Sequence, residues 1–460
     1  MSFPRYPAYK DSGQEWIGVI PSHWSVMPLA KIASGPGSLF IDGDWVESKD
    51  LADEGIRYIT TGNVGEGRYK EQGSGYISQA KFDELRCTEV LPGDVLISRL
   101  NLPIGRACVV PDLGERIITS VDNVITRPDS GYSRSFLAYM LSSASHYANM
   151  EVLARGTTMQ RISRSTLGQV RFAFPPTEEQ AAIASFLNHE TAKIDALVAE
   201  QERLIELLKE KRQAVISHAV TKGLDPSVPM KDSGVEWLGE VPAHWEVARV
   251  KHLVQTFEQG WSPQCESFPV GSESEWGVLK VGCVNGGIFN PEENKALPPD
   301  LTPLPELGIS AGDLLISRAN TRELVGSAAV ASADHHNLML CDKLYRLRVD
   351  AGRCLPTFLS LFLATEQVRG QIELAATGAS SSMLNISQAT ILELCLALPP
   401  MAEQQELLQA VDVSVAQLDQ LVGEAVLSSE LLRERRTALI SAAVTGQIDV
   451  RGWTPPTDAP

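Results

Sequence analysis

The side chains of this sequence that could do acid-base or nucleophilic chemistry are eight histidines and seven cysteines. Two histidines stand next to a tryptophan, His23 beside Trp24 and His244 beside Trp245. A histidine can act as a general base or a metal ligand, but either role needs a partner side chain at a suitable spacing. No cysteine or acidic residue repeats beside both pairs. We therefore expect packing or capping roles for both histidines.

Other signs of an enzyme are also missing. The sequence has no G-x-x-x-x-G-K-[ST] phosphate loop and no H-E-x-x-H zinc motif. Two Pro-Pro steps, at 175–176 and 399–400, lack the polar residue before and the aromatic residue after with which amino-methyltransferases of nucleic acid hold their target amine. The cysteines form no C-x-x-C pair, which favours reduced thiols over zinc ligands or disulfides. We predict a chain without catalytic chemistry or a metal.

The composition is that of a globular protein. The 460 residues are 43% hydrophobic, which is enough for roughly three domains. No apolar run reaches the roughly 18 to 20 residues of a membrane-spanning helix, and no signal-peptide pattern opens the sequence, so we expect a cytoplasmic protein. The net charge of −17 argues against a protein that coats nucleic acid unaided.

The elements that must position any functional residue occur twice. The segment from Lys10 to Trp24 shares its motif residues with the segment from Lys231 to Trp245, and position 10 returns at position 231, an offset of 221 residues. Stacked-repeat arrays have periods of only about 20 to 50 residues. The repeat is therefore a duplicated half-molecule.

Each half continues with short β-branched runs bounded by turn residues, which predict strands and tight turns. The motif G-D-[VL]-L-I-S-R occurs at 93–99 and again at 312–318. Between such anchors the halves hardly agree. A shared scaffold with divergent loops is the pattern expected of two modules that do one job on two targets, and neutral drift after duplication is the alternative.

A long pattern typical of an amphipathic helix follows each Pro-Pro step. We predict that each helix begins there, because proline is tolerated in the first turn of a helix but not in its interior. Apolar residues at spacings of three and four predict the seam of a helix pair, with helices of about 40 residues. We expect Gly223 and Gly446 to end the helices and the tail after Asp449 to be frayed. The predicted seam residues are Ile183, Leu187, Ile194, Leu197, Leu204, Leu208, Val215, Leu407, Val411, Leu418, Leu421, Leu432 and Leu439.

This order of motifs, from about Lys10 to Asp449, resembles the specificity subunit of type I restriction-modification enzymes. The resemblance implies an α+β fold with pseudo-twofold internal duplication. Two β-rich target-recognition domains would be joined by two long helices that form an antiparallel coiled coil. The predicted divisions are 1–177 for the N-terminal motif and first recognition domain, 178–222 for the first helix, 223–401 for the linker and second recognition domain, 402–446 for the second helix and 447–460 for the tail.

The resemblance also implies the partners. Each recognition domain would read one part of a split, asymmetric target in double-stranded DNA, and the helices would space the domains and dock two methyltransferase subunits. S-adenosylmethionine would be bound by those subunits, and ATP and Mg²⁺ would be used in the full complex with restriction and translocase subunits. This chain would hold no cofactor and contact no membrane. Half-sites about one helical turn apart, roughly 34 to 36 Å, suit two readers on one side of B-DNA.

Candidate DNA contacts are polar and basic residues of the loops, because such side chains reach base edges and phosphates. Arg99 and Arg318 recur in both halves, so a structural role is equally plausible for them, and Asn101 and Asn320 suit phosphate or scaffold contacts. Arg68, Tyr69 and Lys70 lie where the halves diverge, so they are candidates for reading the first half-site, and an ordinary solvated hairpin is the alternative. The remaining candidates are Arg106, Thr157, Thr158, Gln160, Arg161, Arg322, Ser380, Ser381, Ser382 and Asn385.

Two alternatives stay open at this stage. The chain could be the recognition subunit of a related system in which methyltransferase and nuclease are fused in one partner. It could also be a coiled-coil scaffold for proteins without a DNA role, although a scaffold would not need two large divergent β-rich modules.

Overall fold

The computed structural model describes residues 3–73, 75–156, 159–272, 274–380 and 383–455, with only the backbone at 379 and 380. The chain divides into two compact units. Unit 1 comprises residues 1–202 and 426–460, and unit 2 comprises residues 203–425. Each unit thus holds one copy of the duplicated half together with part of both long helices.

Unit 1 and the first long helix contain eleven strands and five α-helices among the described residues. They are β1 (Tyr9–Asp11), β2 (Val19–Pro21), β3 (Ser25–Pro28), β4 (Leu39–Asp42), β5 (Ile56–Ile59), β6 (Gly75–Ile77), α1 (Gln79–Leu85), β7 (Val95–Ser98), β8 (Ala107–Val109), β9 (Ile117–Thr119), β10 (Asn123–Arg127), α2 (Arg134–Met140), α3 (Ala144–Leu153), α4 (Arg164–Gln169), β11 (Arg171–Phe174) and α5 (Thr177–Lys222).

Unit 2 follows the same plan with additional short strands. Its elements, with the second long helix, are β12 (Met230–Asp232), β13 (Glu240–Pro242), β14 (Glu246–Arg249), β15 (Val254–Gln259), β16 (Gly277–Leu279), β17 (Asn294–Ala296), β18 (Gly308–Ile309), β19 (Leu314–Ser317), β20 (Ala319–Asn320), β21 (Ala328–Val330), β22 (His335–Met339), β23 (Leu344–Val349), α6 (Pro356–Leu363), α7 (Glu366–Ala375), β24 (Thr377–Ser380), β25 (Met383–Asn385), α8 (Gln388–Leu392), β26 (Cys395–Leu398) and α9 (Met401–Val444).

A four-stranded antiparallel sheet recurs in both units, with the order β4-β10-β7-β8 in unit 1 and β15-β23-β19-β21 in unit 2. The duplicated motif supplies β7 and β19, as predicted. Side chains alternate across a strand, so Val95 and Ile97 enter one core of unit 1 and Leu96 enters another. Both faces of the sheet are therefore buried. A mixed sheet, β6-β5-β9 or β17-β16-β22-β18, adds to each unit.

The acidic residue of the duplicated motif holds this sheet together. Asp94 is 2% exposed and accepts a hydrogen bond from Arg127 of the neighbouring strand at 2.7 Å. Asp313 is 1% exposed and accepts one from Arg348 at 2.6 Å. A buried carboxylate needs such a partner, because an unpaired charge in the interior is costly. The acidic residue of the motif therefore has a structural role in the sheet.

The two repeated tryptophans, Trp24 and Trp245, each donate a hydrogen bond to a glutamate in the first turn of a long helix. In unit 1, Glu179 accepts from Trp24 Nε1 at 3.0 Å and lies 2.7 Å from His23 Nε2. In unit 2, Glu403 makes the same contacts with Trp245 at 3.0 Å and His244 at 2.8 Å. A carboxylate is also favoured near a helix N-terminus by the helix dipole. Both histidines thus contact a carboxylate at a helix start, which fits the predicted packing or capping role.

The two long helices run antiparallel within each unit. In unit 1, Arg436 contacts Asp195 at 2.9 Å and Arg433 contacts Glu202 at 2.6 Å, so positions rise on one helix as they fall on the other. In unit 2, Arg212 contacts Asp419 at 3.1 Å. α5 has 46 residues and α9 has 44, somewhat more than predicted. Gly223 and Gly446 follow the helices with positive φ angles, as expected for C-terminal caps.

Most of the predicted seam is buried or half-buried, but three positions are wrong. Leu197, Leu204 and Leu421 are 43 to 47% exposed. Their C-terminal neighbours Val198, Ile205 and Val422 are half-buried instead. The contact face also includes the small residues Ala425 and Ser429, which the apolar pattern does not single out. The buried stripe therefore runs one residue later than predicted in the middle of each helix.

The expectation of a frayed tail is wrong for the described part of it. Val450 is 1% exposed, and the Trp453 ring lies 5.4 Å from the ring of Phe186 in α5. The amide of Asp449 donates to the carbonyl of Pro4 at 2.8 Å. Apolar side chains at 448, 450 and 453 bury the tail against the first core of unit 1. Residues 456–460 lie outside the described part.

Candidate nucleic-acid interface

Two predicted clusters of unit 1 lie side by side. One is the loop after β7, and the other is the segment before α4. A β-bridge joins Leu100 to Arg161, and the amide of Ile162 donates to the carbonyl of Arg99 at 3.1 Å. The backbone thus fixes the loop that carries Asn101 against the segment that carries Arg161.

Unit 2 repeats this arrangement with different side chains. Ala319 pairs with Asn385 across two short strands, and the amide of Ile386 donates to the carbonyl of Arg318 at 3.0 Å. Asn385 therefore takes the place that Arg161 has in unit 1. The same frame presents a guanidinium group in one unit and an amide group in the other.

Arg99 and Arg106 are structural, and we withdraw both as DNA contacts. Arg99 is 5% exposed, lies 3.1 Å from Asp42 and donates to the carbonyl of Ile162 at 3.3 Å. Arg106 is 8% exposed and donates to five backbone carbonyls. Burial lowers the pKa of both guanidinium groups. Their donors are already used inside the domain.

Two exposed arginines of unit 1 beside this frame each form an ion pair with an aspartate. Arg161 lies 2.8 Å from Asp122, and Arg164 lies 3.1 Å from Asp42. These two arginines are 46% and 44% exposed, so water and incoming ligands can reach them. A phosphate or a guanine edge could replace or share the carboxylate partner of Arg161, because both accept hydrogen bonds from guanidinium groups.

In unit 2 the polar groups have more local partners. Arg318 Nη1 donates to the carbonyl of Asp342 at 3.2 Å. Asn320 donates to Ser317 Oγ at 3.4 Å and accepts from the amide of Thr321 at 2.9 Å. These contacts fit the scaffold role considered for Asn320. Arg322 is exposed, and Asn385 is half-buried.

Arg68, Tyr69 and Lys70 lie in another loop of unit 1, which Arg106 ties to the loop after β7 through the carbonyls of Thr61 and Val64. Burial raises the pKa of Tyr69, whose hydroxyl lies 3.5 Å from Asn63 Nδ2. Arg68 is exposed and 3.9 Å from Asp195 of α5. Lys70 is also exposed.

Several predicted contacts lie outside the described residues. These are Thr157, Thr158, Ser381 and Ser382, and Ser380 is described only by its backbone. Gln160, which follows the first pair, is half-buried, and its side-chain oxygen has no hydrogen-bond partner among the described residues.

Exposed apolar side chains near the two frames were missed from the sequence. Leu102 and Met159 are 59% and 58% exposed in unit 1, and Met383 is 43% exposed in unit 2. The only sequence signal for these exposed side chains was an apolar residue within a stretch rich in turn residues. Such side chains can contact thymine methyl groups or wedge between base steps.

One enzyme-like pattern also escaped the sequence analysis. Residues 308–312 match G-x-S-x-G, which in hydrolases turns from a strand into a helix. Here Ser310 lies between β18 and β19, and its amide donates to Asp313 in a turn. The pattern therefore lacks the strand-to-helix elbow. Within the described ranges there is no cluster of three or more His, Cys, Asp or Glu suited to a metal ion, and no helix there is long and apolar enough to cross a membrane.

Comparison with known proteins points to one class. Residues 21–207 match the family model of the type I restriction modification DNA specificity domain. The chain is 27% identical to the EcoEI specificity subunit of Escherichia coli over 52% of this chain and 40% of that subunit. It is 21% identical to the EcoKI specificity subunit of Escherichia coli K12 over 94% of this chain and 90% of the relative. The chain thus spans less than half of the first relative but nearly all of the second.

Solved structures show the same fold over most of the chain. A chain from a study of complex assembly and conformational transition of the type I R-M system aligns with a TM-score of 0.68 at 15% identity, covering 92% of this chain and 98% of that one. The HsdS subunit from Thermoanaerobacter tengcongensis aligns with a TM-score of 0.52 at 16% identity, covering 93% and 98%. The chain is therefore similar in sequence to type I restriction enzyme specificity subunits, and it shares the fold of the HsdS subunit.

Proposed function

We propose that this chain is the non-catalytic subunit that gives a type I restriction-modification complex its DNA sequence specificity. Each unit would read one half of a split, asymmetric target. The observation that carries this proposal is the repeated frame of backbone contacts, Ile162 to Arg99 in unit 1 and Ile386 to Arg318 in unit 2, with different exposed side chains on it.

The two frames carry different side chains at equivalent positions, and these would recognise different bases. Arg161 suits the two acceptors of a guanine edge, whereas an amide such as Asn385 suits adenine. Leu102 in unit 1 occupies the position of Thr321 in unit 2, directly after the asparagine that both halves share. Two unlike reading surfaces on one scaffold would give an asymmetric target.

An exchange of the divergent segment tests this function. Replacing residues 35–155 with the corresponding segment of a relative should change one half of the methylated sequence and leave the other half unchanged. Methylome sequencing of cells that carry the chain and its methyltransferase partner would measure both halves. A change in both halves would refute independent reading.

The acidic net charge predicts help from partners. With 40 basic and 57 acidic residues, the chain alone should bind DNA weakly, because affinity for DNA depends on phosphate contacts and counterion release. Mobility-shift titration with and without methyltransferase subunits tests this expectation. Tight, sequence-specific binding by the single chain would contradict it.

The long helices offer matching surfaces for two copies of one partner. Leu197 and Leu431 are 45% and 55% exposed in unit 1, and Leu421 and Leu207 are 47% and 51% exposed in unit 2. Adding 224 to 197 and 207 gives 421 and 431, so the two pairs are equivalent. Exposed apolar side chains that recur at equivalent places indicate a docking role. We assign them to two methyltransferase subunits.

Under this proposal the cofactors belong to the partners. Methyltransferase subunits would bring S-adenosylmethionine, and restriction subunits would bring ATP-driven translocation and cleavage with Mg²⁺. Changing Leu197 and Leu431 together to Asp should reduce the number of bound methyltransferase copies from two to one, as measured by native mass spectrometry. Retention of two copies would show that these leucines do not dock the partner.

A further inference from the structure

We propose that unit 2 carries a groove that binds a segment of a partner protein with a large aromatic side chain and a carboxylate within a few residues of it. The groove lies between the end of α5 and the start of α9 and has a volume of about 360 Å³. Its apolar lining is Ala214, Val215, Ala219, Leu224, Ala410 and Val411.

The equivalent place in unit 1 is filled by the ends of the chain. The offset of 224 that relates the two helices maps position 186 to 410 and position 189 to 413. The Trp453 ring lies 5.4 Å from Phe186 and 5.4 Å from His189, and the Phe3 ring lies 5.1 Å from Phe186. Aromatic side chains of the termini thus cover the start of α5.

Unit 2 lacks these aromatic residues. Its α5 continues directly into a single connecting segment, in which Leu224 corresponds to Phe3 by the offset of 221 and Pro229 corresponds to Trp453 by the offset of 224. Leu224 is 52% exposed and Val413 is 61% exposed. Ala410 in place of Phe186 removes a further ring. The groove therefore lies where unit 1 packs aromatic side chains, and none of the described residues that line it is a phenylalanine, tyrosine or tryptophan.

The charges that line the groove favour an acidic neighbour for that aromatic residue. Among the described residues the ionisable groups of its lining are Lys211 and His218, and both are exposed. The segment that fills the equivalent place in unit 1 carries Asp449 four residues before Trp453, and there the carboxylate pairs with Arg451 of the same segment. A carboxylate near Lys211 would gain a screened but favourable interaction.

A second copy of this chain is a poorer occupant than a different protein. Trp453 already packs against Phe186 inside unit 1, so a second copy would have to release it before binding. The inference does not depend on DNA recognition, and neither Ala410 nor Val413 belongs to the candidate interface.

A synthetic peptide tests the groove directly. The probe is a fluorescent peptide with the sequence of residues 447–455, and binding to the full chain is followed by anisotropy. We expect saturable binding that weakens at least about tenfold when Ala410→Trp fills the groove. The matched control is Ala416→Trp, at an exposed position of the same helix, which should leave the affinity unchanged. A peptide with Trp453→Ala should not bind.

The outcomes separate the possibilities. Absence of binding to the unaltered chain, or equal binding to Ala410→Trp, would overturn the groove. Leu224→Asp, at an exposed position, repeats the test if Ala410→Trp fails to fold. A photo-crosslinker at position 413, used in cells, tests the occupant. A crosslink to an aromatic residue of a different protein supports the proposal, whereas a crosslink to a second copy of this chain overturns it.

Discussion

The two units share their interior supports and differ where they meet other molecules. Asp94 and Asp313 bind arginines of equivalent sheets, one in each unit. Glu179 and Glu403 likewise bind the equivalent tryptophans Trp24 and Trp245. The side chains on the repeated loop frame differ, and so do the segments that cover the helix starts. Duplication has therefore preserved the residues that position the loops while the loops changed. Substitutions made in pairs, one in each unit, test how far this equivalence extends.

The largest difference in stability is expected for Glu179→Ala against Glu403→Ala. Glu179 is 6% exposed and accepts from Tyr6 Oη at 2.6 Å in addition to the contacts that both units share. Glu403 is 28% exposed and lacks a tyrosine partner among the described residues. Loss of one member of a buried charged network costs about 3 to 5 kcal/mol. We expect about that loss in unit 1 and less in unit 2.

Hydrogen exchange measured by mass spectrometry reports this loss separately for each unit. Glu179→Gln is the control, because it keeps the shape and one acceptor. If Glu179→Ala and Glu403→Ala destabilise their units equally, the additional network of unit 1 contributes nothing.

A pH effect should follow from His146, which is fully buried in unit 1. Nε2 lies 3.1 Å from the carbonyl of Gly105, and Nδ1 has no hydrogen-bond partner among the described residues. Burial lowers the pKa of His146 to about 4. The unfolded value is about 6.5, so the stabilisation is present above pH 6.5 and is lost as the pH falls towards 4.

In unit 2, Val368 lies three residues after Thr365, the N-cap of α7, as His146 lies three residues after Ser143, the N-cap of α3. Val368 is also fully buried but cannot titrate. Acidification from pH 6.5 to 4 should therefore destabilise unit 1 by up to about 3 kcal/mol more than unit 2. Exchange rates of the two units over this pH range give the difference. His146→Val should remove it, and an unchanged difference in that variant would assign the effect to other groups.

A smaller asymmetry is expected at the glycines that end the long helices. Gly446 and Gly223 have φ angles of 74° and 78°, which disfavour any other residue. A Cβ at Gly446 would lie 2.4 Å from Pro21 Cδ, whereas one at Gly223 would lie 3.4 Å from the Trp245 ring. Gly446→Ala should cost about 1 kcal/mol more than Gly223→Ala, because only the former forces Pro21 to move. Thermal unfolding of the two variants compares them.

The smallest effect is expected in DNA discrimination. Arg161→Ala removes an exposed guanidinium group from unit 1, and Asn385→Ala removes an amide from unit 2. Each should weaken discrimination at one position of one half-site by about 1 kcal/mol, or about fivefold. Competition binding with single-base variants of the target would measure it. Equal losses in both half-sites would mean that these side chains do not read separate halves.

The sequence could predict the features that the fold repeats, because repetition separates scaffold from variation. The strand of the G-D-x-L-I-S-R motif, the helix starts and the helix-ending glycines all follow from it. The predicted seam is wrong by one residue at Leu197, because both Leu197 and Val198 are apolar and the sequence pattern does not show which of them is buried. Arg106 was a candidate DNA contact, and for Arg99 a DNA contact and a structural role were equally plausible, because a sequence does not show whether a guanidinium group points inward. The tail was assigned no structure, although Ile448, Val450 and Trp453 carried an apolar signal.

Methylome sequencing tests most directly the central claim that the two units read separate halves of one target. The chain would be expressed with its methyltransferase partner, once unaltered and once with residues 35–155 exchanged for those of a relative. We predict a split methylated sequence for the unaltered chain, and for the exchanged chain a sequence with one new half, one unchanged half and the same spacer. A continuous target, or a change in both halves after the exchange, would contradict the account.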